Sequence, residues 1–576
     1  MSEITSEITT KNMQEYIDEF IHQIKQKNIE SKSAITRLKT NLCKQFKIIR
    51  IPTNIQILIN STPEQLLFLK NKLQTKPSRS LSGVIPVAIM TSPHPCPHGK
   101  CAMCPGGIDS EYGDVPQSYT GAEPATMRAI RANYDSYLQV FNRLEQYIVL
   151  DHSIEKVDLI IMGGTFPARD KTYQNEFIKF AFKAMNDFSE TFFENKILNL
   201  EKFKEFFHLP GNIGNEERTK LIHNKLLKLK ENKTTNLTDE KQRNEKSIVR
   251  CIGMTIETRP DQASLEQANL MLEQGCTRIE LGIQSVYEHA LQAINRGHDT
   301  KTSIETIRRL KDLGFKLNFH IMPGIPTITK QQDIEVFEIL FNDENYKPDM
   351  LKIYPLMVLP KTKIFEEYKQ GKFTPLTTEE AAQIIAQGIK FIPKYCRIMR
   401  IQRDIPSYRI EAGVDKTNLR QYVQTEMDVN EIISEDIRAR ESGRKNSNID
   451  NAEIQIIEYS SSQGKEFFIS FEEKGTNTLF GFCRLRFPSQ QLRQEITKQT
   501  AIIRELHVYG ESISLGKINL DSSQHKGIGK KLLQRAEEIA TQHKYSKLAV
   551  ISGVGVREYY RKQGYCDDGP YVSKSL

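Results

Sequence analysis

Tryptophan is absent from the 576 residues, and no apolar run approaches the ~18 residues of a membrane-spanning helix. The start, MSEITSEITTKNMQ, lacks a basic patch followed by an apolar stretch, so no secretory signal is expected. Cysteine is scarce and odd in number, nine in all. That argues against a secreted disulfide scaffold and for a reducing, cytoplasmic setting without a membrane partner. The missing tryptophan by itself excludes nothing. What is present is the balance of a soluble globular chain, 38% hydrophobic and 26% charged. The length suits several domains. The net charge of +8 is unevenly spread: residues 1–20 are acidic, whereas 21–80 hold twelve Lys and Arg against Glu30 and Glu64. Such a local excess suits phosphate contacts, although a solvated helical face would carry charge in the same way.

From Val84 to Val358 one unit recurs: a short β-branched run, a turn, then a helical stretch. The runs are GVIPVAIM (83–90), VDLIIMGG (157–164), RCIGMTIET (250–258), RIELGIQSV (278–286), KLNFHIMPG (316–324) and MLKIYPLMV (350–358). Ser264 and Gly275 bracket one intervening helix, and Ile304, Ile307, Leu310 and Leu313 line one face of another that stops at Gly314. Six such units predict an α/β fold with a partial or full β/α, TIM-like barrel, whose chemistry gathers at the C-terminal strand ends. The Lys/Asn/Glu-rich stretch at about 198–247 reads as a surface insertion, partly helical. The polar stretch 434–451 reads as linker, and the strands and helix of 452–576 as a separate α+β domain. The expected domains are thus 1–75, basic and helical; 76–400, the barrel; 401–451, the linker; and 452–576.

The first strand runs into TSPHPCPHGKCAMCPGG, where Cys96, Cys101 and Cys104 stand at C-x4-C-x2-C spacing. Three thiolates suit an iron–sulfur cube with one iron left open for substrate, or a zinc loop completed by His94 or His98. A strand end facing a six-unit barrel favours the cluster, since structural zinc has no need of that position. Cys43, Cys251, Cys276, Cys396, Cys483 and Cys566 read as buried or incidental thiols.

CPHGKCAMCPGG, with QSYTGAEPATMRAIRANYD, MGGTF, GMTIETRPD, GCTRIELGIQSVYE and NRGH, closely resembles the radical SAM domain of the catalytic third subunit of Elongator. RELHVYG, QHKGIG and VISGVGVREYYRKQGY resemble the GNAT acetyltransferase domain of the same family. The likeness covers roughly 76–420 and 452–576 in the same order. The cysteine loop lacks the insert of eukaryotic members and looks more like the archaeal and bacterial single-chain forms. This resemblance implies a 4Fe–4S cluster on Cys96, Cys101 and Cys104, with S-adenosylmethionine on the open iron. It places Gly163, Gly164, Glu257 and Gln284 beside that molecule, although glycines also serve tight turns and Glu257 could simply pair with Arg259. SEDIRARESG (434–443) has none of the cysteines that archaeal relatives carry in their linker, so no zinc is expected there and the domain junction should be held by ordinary packing.

In the C-terminal domain, Gln524, Lys526, Gly527, Ile528 and Gly529 open a helix as a GNAT pyrophosphate turn would, with main chain at Leu506 and Val508 to receive the acyl–pantetheine arm. The family uses a tyrosine at Tyr559 or Tyr560 on the CoA thiolate, and Glu505 or His507 could act as base. Together the two halves imply a tRNA-modifying enzyme that makes 5-carboxymethyluridine at the wobble position from acetyl-CoA, with a deoxyadenosyl radical acting on the acetyl methyl. The anticodon loop of tRNA would be held by the basic segment through Lys25, Lys27, Arg37 and Lys39. Self-association or Elongator-like subunits are the further partners implied. The alternatives are a protein lysine acetyltransferase that uses only the C-terminal domain, and a non-catalytic tRNA-binding scaffold.

Overall fold

This computed structural model describes residues 2–46, 48, 51–69, 72–73, 83–211, 215–444, 448–509 and 527–576. Four helices, Ser2–Gln26, Lys32–Gln45, Asn54–Asn60 and Pro63–Leu69, form the N-terminal module. Tyr16, Phe20, Ile24, Leu38 and Leu42 close into a core of their own. Ser31 accepts from the Ala34 N–H to start the second helix, and Thr53 forms a capping box with Gln56 to start the third. Lys25, Lys27 and Arg37 are exposed on this module. Lys39 is not: it is 7% exposed, its ammonium donates to Asn54 Oδ1 at 3.0 Å, and burial pulls its pKa down. The expected phosphate contact by Lys39 is therefore corrected, because charge counted along a chain does not register which face of a helix turns inward.

Seven strands, β1 (Val84–Met90), β2 (Lys156–Met162), β3 (Arg250–Thr258), β4 (Arg278–Gln284), β5 (Lys316–Ile321), β6 (Met350–Ile353) and β7 (Arg397–Ile401), pair in chain order. Every neighbour is parallel. The six expected strands are present, and β7 adds a seventh. Alternation sorts their side chains. Val87 and Ile89 of β1 and Leu159 and Ile161 of β2 are fully buried, in one core with the helices Ser136–Val149 and Lys171–Phe192. Their neighbours Ala88, Asp158, Ile160 and Met162 turn to the other face and are only half-buried. The sheet thus curves round a hollow, and its edge strands β1 and β7 do not pair, so the barrel is partial. Ser264 caps the Leu265–Glu273 helix as expected, and Gly275 follows it in the left-handed region at φ +94°.

The insertion is more firmly held than its composition suggested. Its helices are Leu200–Phe206, Glu216–Glu231 and Leu237–Lys246. Phe203 and Phe207 pack on Phe188 and Phe192, and Asn186 donates to both the Glu240 carbonyl and its carboxylate. Glu245 reaches the C-terminal domain, 2.7 Å from Arg561. The expected linker is likewise built in: Leu419, Val423 and Met427 of the Leu419–Val429 helix are part of the main core.

The C-terminal sheet comprises β8 (Ala452–Ser461), β9 (Gly464–Glu473), β10 (Leu479–Phe487), β11 (Thr500–Val508), β12 (Lys547–Val550), β13 (Cys566–Asp568) and β14 (Tyr571–Ser575), in the order 8-9-10-11-12-14-13. β11 and β12 are parallel and the other pairs antiparallel. The Ile528–Gln542 helix covers one face with Leu532, Leu533, Ala536, Ile539 and Ala540.

The other face meets the barrel, and here ordinary packing is the wrong description. Arg486 pairs with Asp312 at 2.5 Å and with Glu466 at 2.9 Å, while Arg504 pairs with Asp349 at 2.5 Å and with Glu466 at 3.2 Å. Arg484 lies 3.5 Å from Asp349 and 2.9 Å from Glu505. Asp312 and Asp349 belong to the barrel domain, and Asp312, Asp349, Arg484, Arg486 and Arg504 are at most 1% exposed. Beside this network main chain rests on main chain: a Cβ on Gly553 would lie 2.0 Å from the Ile252 carbonyl oxygen, and one on Gly555 2.9 Å from that of Cys251.

Candidate active site

The cysteine loop lies at the C-terminal end of β1. Gln117 accepts from the Cys96 N–H at 2.7 Å and donates to the Gly99 carbonyl at 3.1 Å, which fixes the loop's curvature. Each sulfur already has a polar neighbour: Thr165 Oγ1 at 3.3 Å from Cys96, His98 Nε2 at 3.2 Å from Cys101, and the Ser118 N–H donating to Cys104 at 3.1 Å. Arg296 also approaches the Cys101 sulfur at 3.5 Å. Burial pushes the Cys104 thiol up to about 11 and raises that of Cys96, so a cation must compensate before both become thiolates. His98 hydrogen-bonds to Arg259, which also pairs with Asp261.

The three cysteines open on a cavity of about 160 Å³ that the C-terminal ends of β2 to β6 complete. Gly163 has φ +119°, and a Cβ there would lie 2.3 Å from Thr91 Oγ1, so only glycine fits. Gly164 and Gln284 line the cavity, and Gln284 is a glutamine held at φ +70°. Glu257 accepts from Tyr119 at 3.1 Å and lies 3.6 Å from Lys352, and Arg259 takes Asp261 as its carboxylate partner.

Lys352 is the centre of a group that sequence reasoning missed. Its ammonium pairs with Glu280, which also contacts His320 at 3.0 Å. Burial opposes charge on both Glu280 and Lys352, yet mutual attraction prevails, holding the carboxyl far below and the ammonium above their ordinary ranges. Donor atoms of Glu257, Glu280 and His320 lie within 4.8 Å of one another, and Lys352 supplies the positive charge that a metal would bring. A signal existed: Glu280, His320 and Lys352 are ionisable residues inside three successive strands of the expected barrel.

The second site lies at the N-terminal ends of the same strands. β11 pairs with β12 only from Thr500 to Ile503, whose carbonyl accepts from Ile551 at 3.1 Å, while it continues beside β10 as far as Val508. Glu505 and His507 sit opposite Arg484 and Phe482, and the Tyr509 N–H donates to the Phe480 carbonyl at 2.7 Å. Alternation then turns the main chain of Leu506 and Val508 toward the open edge. Gly527 begins the Ile528–Gln542 helix at φ +74°, and a Cβ on Gly529 would lie 2.9 Å from the Tyr559 hydroxyl. That hydroxyl therefore hangs over the helix's first turn, where main-chain N–H groups lack an intrahelical partner. Tyr559 is 38% exposed, whereas Tyr560 is 6% exposed and packs edge-on to Tyr559 and Tyr565. Gln524 and Lys526 lie outside the described residues.

A cavity of about 870 Å³ joins this open edge to the barrel's N-terminal end. Glu505 and His507 face it. Burial acts to raise the Glu505 pKa, but Lys316, Arg484 and His507 outweigh it and keep the carboxyl ionised. Burial lowers His507 to about 4, so its imidazole is neutral, and its Nε2 has no hydrogen-bond partner among the described residues.

These features define a class: a radical SAM half-barrel fused to a GNAT acetyltransferase sheet. Family models agree: Radical SAM superfamily at 94–340, Radical_SAM C-terminal domain at 348–429, GNAT acetyltransferase at 431–565 and ELP3 N-terminal domain at 13–81. The class carries a 4Fe–4S cluster with S-adenosylmethionine in the first site and acetyl-CoA in the second. Three convergent sulfurs fit the one, and an open strand edge at a helix N-terminus fits the other.

The chain belongs to the family of Elongator complex protein 3 and the tRNA uridine(34) acetyltransferases. It is 39% identical to the tRNA uridine(34) acetyltransferase of Methanocaldococcus infernus over 98% of this chain and 99% of that one. It is 37% identical to Elongator complex protein 3 of Saccharomyces cerevisiae, over 94% and 91%. The solved structure of the Methanocaldococcus infernus Elp3 with its N-terminus deleted superposes with a TM-score of 0.70 at 34% identity, covering 86% of this chain and all of that one.

Proposed function

We propose that this protein modifies the wobble uridine of tRNA, placing an acetyl-derived carboxymethyl group on C5 of the base. One observation carries the reading. Two cofactor sites, one for radical chemistry and one for an acyl thioester, are built on opposite ends of the same strands. When bound, the cluster with S-adenosylmethionine supplies a 5′-deoxyadenosyl radical, and acetyl-CoA supplies the two carbons. The protein's own part is positional. Glu257 and Lys352 offer an acceptor and a donor 3.6 Å apart, suited to the polar edge of a uracil splayed into the upper cavity. At the lower site the Tyr559 hydroxyl can give a proton to the departing CoA sulfur. A lysine acetyltransferase would leave Cys96, Cys101, Cys104 and the whole upper cavity without use.

The test is an anaerobic incubation with tRNA, S-adenosylmethionine, reductant and acetyl-CoA, followed by nucleoside mass spectrometry. Carboxymethyluridine at the wobble position that disappears when any one component is omitted supports the reading. Acetylated lysine in a histone peptide without S-adenosylmethionine, and no modified nucleoside, would replace it. Lys25, Lys27 and Arg37 are assigned to tRNA phosphates. Changing all three to glutamine should weaken binding equally across tRNA sequences and reduce the salt slope by about 2 to 3. An unchanged slope would remove that assignment.

A further inference from the structure

Most charges around the upper cavity are answered by an opposite charge. Lys352 has Glu280 and Glu257, Arg400 has Asp404, and Arg259 has Asp261. Arg296 lines the same cavity, is 8% exposed, and has no carboxylate partner among the described residues. Its guanidinium donates instead to the Gly282 carbonyl, from Nη2 at 2.8 Å and Nε at 3.2 Å, and to the Cys101 sulfur from Nη1 at 3.5 Å. The place is built for it. A Cβ on Gly282, inside β4, would overlap Arg296 Nη2, so the strand is bare where the guanidinium enters. The main chain beside Arg296 is tied to the cysteine loop as well. The Ala102 N–H donates to the Ile294 carbonyl at 2.9 Å, and Asn295 Nδ2 donates to the Lys100 carbonyl at 2.9 Å. Gly297 rests on His98, where a Cβ would lie 2.6 Å from that of the histidine.

A guanidinium does not give up its proton in a protein, and a buried charge without a counter-ion is costly. The cost falls when anionic sulfur gathers beside it. Iron–sulfur potentials respond to net charge and to hydrogen bonds on the sulfurs, because reduction adds a negative charge in a low-dielectric site. We propose that Arg296 is a positioning residue that raises the reduction potential of the cluster held by Cys96, Cys101 and Cys104, its guanidinium bonding the Cys101 sulfur and stabilising the reduced form. Arg296 thereby sets how much of the protein is reduced at a given reductant strength. His98 also meets the Cys101 sulfur, at 3.2 Å, but Arg296 brings the fixed charge. The proposal rests on the cluster assignment above and is independent of which acceptor is modified.

The test is a redox titration of the full-length protein after anaerobic iron–sulfur reconstitution, followed by electron paramagnetic resonance. Arg296→Gln should keep about four irons per chain and bind acetyl-CoA within about twofold of wild type. Its midpoint potential should fall by about 59 mV or more, a tenfold change in the one-electron equilibrium. Arg296→Lys keeps the charge but has no fork to reach both the Gly282 carbonyl and the sulfur, so its potential should fall by less. A wild-type potential in Arg296→Gln would overturn the proposal, since an arginine that only shapes the loop leaves the potential where it was. If that variant holds no iron, Arg296→Lys decides: a lowered potential supports the role, and an unmoved one overturns it. Wild-type protein that takes up no iron would overturn the cluster assignment together with this proposal, whereas a normal cluster with an unmoved potential overturns this proposal alone.

Discussion

Asp349→Ala is expected to destabilise the whole chain by about 3–5 kcal/mol, more than any surface change. Asp349 is fully buried, bonded to Arg504 and 3.5 Å from Arg484. It also accepts from the Leu317 N–H at 2.9 Å. Removing the carboxylate leaves two guanidinium groups in a dry interface with half their compensation gone. Desolvation that was offset becomes a net cost. The pair Asp349→Met with Arg504→Met should recover much of the loss, since both ends of the strongest bond go together. Urea unfolding of the full-length protein measures both. A single variant within about 1 kcal/mol of wild type would mean that water reaches the junction and the network is only decorative.

The second large effect concerns the cluster. Cys101→Ala removes one of three sulfurs from a loop where each sulfur has its own position. Iron after anaerobic reconstitution should fall from about four per chain to background, with loss of the visible absorption of the wild-type protein. Acetyl-CoA affinity should be unchanged, because its cavity lies at the other ends of the strands. Full iron retention would show that Cys96 and Cys104 recruit another donor, such as His98. Loss of acetyl-CoA binding alongside the iron would point to misfolding instead.

The sequence disclosed most where residue type and spacing jointly limit the options. The β-branched runs of β1 to β6 and the C-x4-C-x2-C loop could be placed directly, and so could the glycine turn before the Ile528–Gln542 helix. β7 escaped because RIMRI is five residues with arginine at 397 and 400, a pattern shared with helix and loop. β13 and β14, in CDDGPYVSKS, escaped for the same shortness and polarity.

The junction was misread for a different reason. FCRLRF and IIRELH alternate arginine with apolar residues as a half-exposed strand does, yet both faces are covered and the arginines meet carboxylates from the other domain. Alternation tells a strand's two faces apart, but it does not tell water from a buried counter-charge. Lys39 taught the same lesson in the helical module.

The glycines at 553 and 555 carry a consequence for engineering. Where two backbones touch without side chains between them, the fit depends on atoms common to every residue and leaves no room for a spacer. An acetyl-transferring module grafted from a distant source would need both positions bare before it could seat, however well its own pocket worked. Exchange of catalytic halves between unrelated enzymes of these two classes should therefore fail at the seam before it fails at the chemistry.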